Sequence, residues 1–227
     1  MKPVGQKSLK FRIFIRFGSS PFILGLLFFL PAGSLAFWEA WIYMGMLLVP
    51  ILFAVLYFLR KDPELLERRM RMKEQEKEQD LLVKFSGVFL IAGFLIPGFD
   101  FRYQWSEVPV FVVLSADALV LMGCFIFIVV MKENSFLSRT VEVEQGQRLI
   151  TTGPYSVVRH PMYSGVLLMF LFAPVALGSW WALFPFIPLP VILILRILSE
   201  ERMLRRELEG YDDYMDKVRF RLIPGLW

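Results

Sequence analysis

Residues 161–195 carry no charged side chain. As a single α-helix that run would reach roughly 52 Å at about 1.5 Å per residue, well beyond a bilayer core of about 30 Å. Gly178-Ser179 lie near its middle, and Pro174, Pro185, Pro188 and Pro190 punctuate it. These features predict a tight helical hairpin inside a membrane, with arms that are slightly short and bent. Broken backbone at membrane depth is tolerated where it packs inside protein or lines a cavity. The run therefore predicts a folded-back pair of helices with a site at its base.

The remaining spans follow from the same charge gaps. Residues 17–38 and 40–59 are uncharged, and 108–131 are interrupted only by Asp117. Residues 85–99 are short but extend through Leu81 to Val83 if Lys84 snorkels. A span needs about 20 residues. The reading is an all-α polytopic membrane protein with about six transmembrane helices, or five if the hairpin does not span fully. The composition agrees: 56% of the chain is hydrophobic, against roughly 45–50% in a soluble domain. No Gly/Ser/Pro linker divides the sequence, so residues 1–227 read as one integral membrane domain. The basic N-terminus before the first block reads as the flank of a retained span rather than of a cleaved leader. Cys124 is the single cysteine, which excludes an intramolecular disulfide and a cysteine-based zinc site. No metal site and no nucleic-acid partner are expected.

Orientation follows from charge. With six spans, segments 1–16, 60–84, 132–160 and 196–227 fall on one side and hold 24 of the 25 Lys and Arg residues; only Arg102 is opposite. The positive-inside rule places both termini in the cytoplasm. Trp38, Trp41, Trp105, Trp180 and Trp181 fall at the outer turns, where an aromatic belt belongs. The loop Arg60–Asp80 predicts a solvated helix after Asp62-Pro63. Asp117, inside the fourth span, is expected to make a helix-packing hydrogen bond. The other reading, a transport-pathway carboxylate, would suit a non-enzymatic transporter or scaffold.

At the foot of the hairpin stands "GPYSVVRHPMYSG", residues 153–165, with the only histidine of the chain. Pro161 suits a first helical position. His160, ahead of a proline, is pushed toward an extended conformation. Arg159 and His160 are thus expected just outside the helix start, as polar groups at the mouth rather than packing groups of a core. Tyr163 lies one turn inside, and Gly165 permits a close approach to the backbone. A helix N-terminus is a seat for a carboxylate. Gly153-Pro154 predicts a turn that presents Tyr155. A second polar cluster follows the hairpin: Arg196, then Ser199-Glu200-Glu201-Arg202. Arg196 and Glu200 can pair at i,i+4. If the hairpin forms, Glu200 and Glu201 return to the level of Arg159 and His160 and face them across one pocket. The tail is amphipathic: Gly210 stops a helix, and Tyr211, Tyr214, Val218 and Phe220 give an apolar face. It reads as a cytoplasmic lid lying on the membrane.

The motif "GPYSVVRHPMYSG", the hairpin and "SEERMLRRELEGYDDYMDKVRFRLIP" together resemble the C-terminal half of the isoprenylcysteine carboxyl methyltransferase family and its prokaryotic relatives. The resemblance covers about residues 132–227, which leaves 1–131 as N-terminal spans without a usable motif. It implies an all-helical membrane fold in which S-adenosylmethionine sits in a cytoplasm-facing pocket closed by the tail, while a lipid-like acceptor enters from the bilayer. By position it implies cofactor contacts from Leu149, Ile150, Tyr155, His160, Pro161, Met162 and Tyr163, and from the Glu200-Glu201 pair, with Glu201 the better match. It implies an arginine near the acceptor, for which Arg196 is the nearest candidate. Gln147-Arg148 departs from the His-Thr-type pair of the family.

That activity suits the residues. Methyl transfer from a sulfonium needs positioning and shielding from water rather than a metal. Arg159 and the helix N-terminus can hold a cofactor carboxylate, and a glutamate can hold its ammonium or ribose hydroxyls. Arg196 and Glu201 are the candidate catalytic residues. The rival enzyme class is a nicotinamide-dependent lipid reductase, since membrane sterol reductases share a similar "GPY…RHP…Y" pattern and use NADPH. No G-x-G-x-x-G occurs, against a soluble-type dinucleotide site.

Overall fold

The computed structural model describes residues 6–70, 77–138 and 146–227. They form nine α-helices and one 3-10 turn among the described residues, with no strand: α1 (Gln6–Ala32), α2 (Trp38–Lys61), α3 (Pro63–Arg69), α4 (Lys77–Tyr103), α5 (Val110–Glu133), the turn Gly153–Ser156, α6 (Pro161–Ala176), α7 (Leu183–Phe186), α8 (Pro188–Glu207) and α9 (Tyr211–Lys217). Five stretches are long and apolar enough to cross a membrane: Phe11–Ala32, Trp38–Lys61, Asp80–Tyr103, Val110–Glu133 and Leu183–Glu207. α6 is apolar but only 16 residues long, so the hairpin arms are unequal. The structure therefore carries five span-length helices plus one short apolar helix, at the lower end of the expected count. Large apolar side chains such as Phe14, Phe22, Phe53, Phe111 and Phe125 are exposed around the bundle, as a lipid-facing surface requires.

Local signals explain the ends. α1 stops at Ala32, not at residue 38. Gly33 adopts φ +63° and its N–H closes onto Phe29 O at 2.9 Å, so the helix ends before the charge gap does. Asp62 ends α2 with its N–H on Phe58 O, and its carboxylate caps α3 by accepting from Leu65 N at 3.0 Å. Pro63 takes the first position of α3, as Asp62-Pro63 predicts. Residues 71–76, the middle of that loop, lie outside the described residues.

The hairpin reverses at Gly178, φ +68°, with Gly178 N on Val175 O and Ser179 N on Pro174 O, both 3.0 Å. The reversal is anchored to α4. Buried Asp100 accepts from Ser106 N and Ser106 Oγ, each at 2.7 Å, and from the Ser179 hydroxyl.

α6 packs chiefly on α5. Gly123 and Gly165 face each other so closely that a Cβ on either would stand 2.7 Å from the other's carbonyl oxygen. The close approach that Gly165 permits is thus made by the backbone of α5. Between α4 and the hairpin, Phe186 is buried on Gly93, where a Cβ would meet the ring at 2.2 Å. Asp117 departs from expectation: it is buried, yet neither carboxylate oxygen has a hydrogen-bond partner among the described residues. Its surroundings, Ala116, Val120, Tyr43 and their neighbours, are almost wholly apolar.

Candidate active site

The approach to the site is set by Gly153, φ +57°, which lies against the Glu133 side chain while the Thr152 hydroxyl bonds the same carboxylate. The following 3-10 turn turns Tyr155 inward. Asn134 Nδ2 donates to its hydroxyl at 3.0 Å, and Tyr214 Oη donates to its carbonyl at 2.7 Å. Burial pushes the Tyr155 phenol up to about 12 and raises Tyr211 and Tyr214 as well. All three face the site as neutral phenols.

His160 caps α6 with φ −124° and ψ 59°, and Pro161 is the first helical residue. Arg159 and His160 are 6% and 5% exposed, so they are buried, not poised at an open interface as expected from position. The reason is the tail. Arg159 N and His160 N donate to Phe220 O and Arg221 O, both at 2.9 Å, and Ser164 Oγ donates to Leu222 O at 2.7 Å. Arg159 Nη1 donates to Val218 O and Arg219 O. The tail is therefore pinned over the start of α6. Its apolar face, Tyr211, Tyr214 and Val218, turns inward against Leu149 and Leu204, while Phe220 is exposed.

Glu201 gathers three cationic or protonatable partners. Arg159 Nε reaches its Oε1 at 2.7 Å, His160 Nε2 the same oxygen at 3.3 Å, and Arg221 Nε its Oε2 at 2.9 Å. Arg221 also lies 5.0 Å over the Trp227 ring, and the Trp227 carbonyl accepts from the N–H groups of Arg221, Leu222 and Ile223. Glu200, one residue earlier, points elsewhere. It accepts from Tyr163 Oη at 2.8 Å, and that hydroxyl accepts from Arg196 Nε at 3.0 Å. Tyr163 thus joins the two residues expected at i,i+4.

A cavity of about 100 Å³ opens between these elements. Leu149, Ile150, Tyr155, Arg159, His160, Pro161, Met162, Tyr163, Arg196 and Glu200 all line it; Glu201 does not, and stands behind His160. Gln147 and Arg148 also line it. Sequence reasoning did not place Asn134, Met203, Leu208, Tyr211 and Tyr214 there. The signal for the two tyrosines was present in the apolar face after Gly210, whose φ of +80° redirects the chain. The Tyr211 hydroxyl is buried and has no partner among the described residues. Arg202, Arg205 and Arg206 are exposed, with Arg205 on Asp212 at 2.7 Å. A second, larger cavity of about 300 Å³ shares Met162, Tyr163 and Arg196 with the first and runs into the bundle between α4 and α8, with Arg69 at its rim.

Apolar helices of spanning length around a polar cavity at the foot of a hairpin make a multi-pass membrane enzyme the class that this architecture suits. Residues 111–209 match the model of the phospholipid methyltransferase family, which belongs to the group of membrane methyltransferases resembling isoprenylcysteine carboxyl methyltransferase. The match covers less than half of the chain and likens that part of it to the membrane methyltransferases. It runs from α5 to just past α8 and includes Arg159, His160, Arg196, Glu200 and Glu201, while α1 to α4 and the tail tyrosines lie outside it. The sequence matches no curated protein.

Proposed function

We propose that the chain transfers a methyl group from S-adenosylmethionine to a lipid-like or isoprenoid acceptor, on a carboxylate or thiol, at the cytoplasmic face of the membrane, with both termini cytoplasmic. The observation that carries this reading is the convergence of the α6 start, Glu200 and the tail tyrosines on one cavity, with the Tyr211 hydroxyl unpartnered. In donor and acceptor chemistry those residues suit the cofactor, and the cavity of about 100 Å³ must widen toward the roughly 300 Å³ of small-molecule pockets to admit it whole. Tyr155, Tyr211 and Tyr214 supply flat walls for a purine. The α6 N-terminus offers its dipole end to a carboxylate. Glu200 offers an acceptor to an ammonium or to ribose hydroxyls. Arg159, engaged through Nε by Glu201 and through Nη1 by two tail carbonyls, serves chiefly to position the wall.

Held by the α6 start, Glu200 and the tyrosine wall, S-adenosylmethionine would supply an electrophilic methyl to the acceptor's lone pair, with the carbon–sulfur bonding electrons left on sulfur. The protein's share is placement and shielding. Arg196, lining both cavities, and Arg69, at the rim of the larger, favour an anionic acceptor head beside the methyl. Tyr163, bonded to Arg196 and Glu200, fixes both groups. Glu201 holds Arg159 and His160 so that the wall they form keeps its shape. Arg202, Arg205 and Arg206 are exposed and add nothing to the three arginines that line the cavity, Arg148, Arg159 and Arg196, of which Arg159 is held by Glu201 and Arg196 by Tyr163.

Calorimetric titration of the purified protein with S-adenosylmethionine, its demethylated product and NADPH tests the reading. Micromolar binding of the first two and none of the third is expected. NADPH binding alone would turn the reading to a reductase, and silence from all three to a scaffold or transporter.

A further inference from the structure

The larger cavity lies between a part of the chain that the family match covers and a part that it does not. Its inner wall is α6 and α8; its outer wall is one stripe of α4, Val83, Gly87 and Leu90, at i, i+4 and i+7. Two glycines of α4 behave in opposite ways. At Gly93 a Cβ would strike the Phe186 ring, whereas at Gly87 a Cβ would meet nothing within 4 Å, although the residue lines the cavity. Phe186 is 2% exposed and packs edge-on to Phe94 at 5.7 Å and near Phe170 at 6.4 Å. Space is thus kept at Gly87 and bounded at depth by Leu90, Phe170 and Leu189, while Phe186 stands outside the lining and backs Phe170. The opposite end opens on Tyr163 and Arg196, which also line the smaller cavity.

We propose that this groove holds the single hydrocarbon chain of the methyl acceptor, with Gly87 setting its girth and Phe170, backed by Phe186, its length. The proposal rests on the methyltransferase reading and adds specificity-determining residues to it. Three observations select that occupant. The walls are apolar but for Ser86 and the two arginines near the Tyr163 end, which suits a chain whose head is anionic. Continuity through Tyr163 and Arg196 brings that head to the smaller cavity. The volume, about 300 Å³, is at the lower bound of small-molecule pockets and suits one slim chain rather than two. The stripe from Val83 to Leu90 is roughly 10 Å long, so only part of a long chain is gauged and the rest must leave toward the bilayer.

Fatty acids carrying a diazirine at the chain tip, in short, medium and long lengths, serve as probes. Detergent-purified protein is irradiated with each and the adducts mapped by mass spectrometry. One length should label Leu90, Phe170 or Leu189 best. Gly87→Leu and, independently, Val83→Trp should each cut that labelling about fivefold or more while S-adenosylmethionine titrates as in the unaltered protein. Phe186→Ala should move the best length upward. Unchanged labelling in a folded throat variant, or an unchanged length optimum in Phe186→Ala, overturns the proposal. Failure of S-adenosylmethionine to bind the unaltered protein strikes the methyltransferase reading instead, and the adduct map still reports the groove.

Discussion

The α5–α6 seam and the α4–α8 seam both depend on glycine, to opposite ends. Gly123 and Gly165 remove two side chains so that two backbones touch, leaving no space between the helices. Gly87 removes a side chain and nothing moves in. The first seam fixes the α6 start, and with it Arg159, His160 and Tyr163, against a rigid neighbour. The second leaves a slot that reaches the same tyrosine. Glycine in a membrane helix therefore has no single meaning: whether it closes or opens a contact depends on what faces it.

The contrast can be broken at four points. The largest effect is expected at the closed side's polar lock. Glu201→Ala strands Arg159, His160 and Arg221, and removal of one partner from a buried ion cluster costs about 3–5 kcal/mol; a lower melting temperature of the ligand-free protein in detergent checks it. An unchanged melting temperature would mean that these groups sit at an open mouth after all. Next comes Gly165→Leu. Its side chain meets the Gly123 carbonyl, and overpacking costs about 1–3 kcal/mol, read from the same melt. Gly87→Leu in that assay should change little, and equal losses at the two sites would erase the difference between the seams.

Smaller still is Tyr211→Phe. The hydroxyl has no partner among the described residues, so stability should hold within about 0.5 kcal/mol. Affinity for S-adenosylmethionine should fall by about the worth of one hydrogen bond, roughly 1 kcal/mol, measured calorimetrically. The smallest effect is at Gly87→Ala. Helix propensity favours alanine by less than about 1 kcal/mol, and the open side has room for a methyl, so a slight rise in melting temperature is expected.

The helices were legible because the bilayer imposes length on them: charge gaps at 40–59 and 108–131 translate almost directly into α2 and α5. The hairpin was legible because Gly178 and the prolines leave a 35-residue uncharged run few other solutions. The site was legible as two clusters that a hairpin must bring together. Its burial was not. Arg159 and His160 are covered by backbone pairing with Phe220 and Arg221, some sixty residues away, and main-chain hydrogen bonds leave no side-chain signature. The same limit hid the partner of α6, since Gly123 differs from Gly87 only by its neighbour. The groove had no signal at all, because empty space is not written in any residue. Asp117 looked like half of a hydrogen bond, and its other half does not exist among the described residues.

Arg221 connects one end of the tail to the other half of the lock, holding Glu201 and covering Trp227 at once. Peeling the tail away would carry off Tyr211 and Tyr214, two of the three tyrosines of the wall, and in the same motion take the Arg221 counter-charge from the buried Glu201 carboxylate. Opening of the tail is therefore opposed by an electrostatic spring that favours reclosure. Under the proposed methyl transfer, a ligand in the cavity would stay for as long as the tail is down. The slow event in each cycle would be departure rather than bond-making, visible as a fast first turnover followed by a slower steady state.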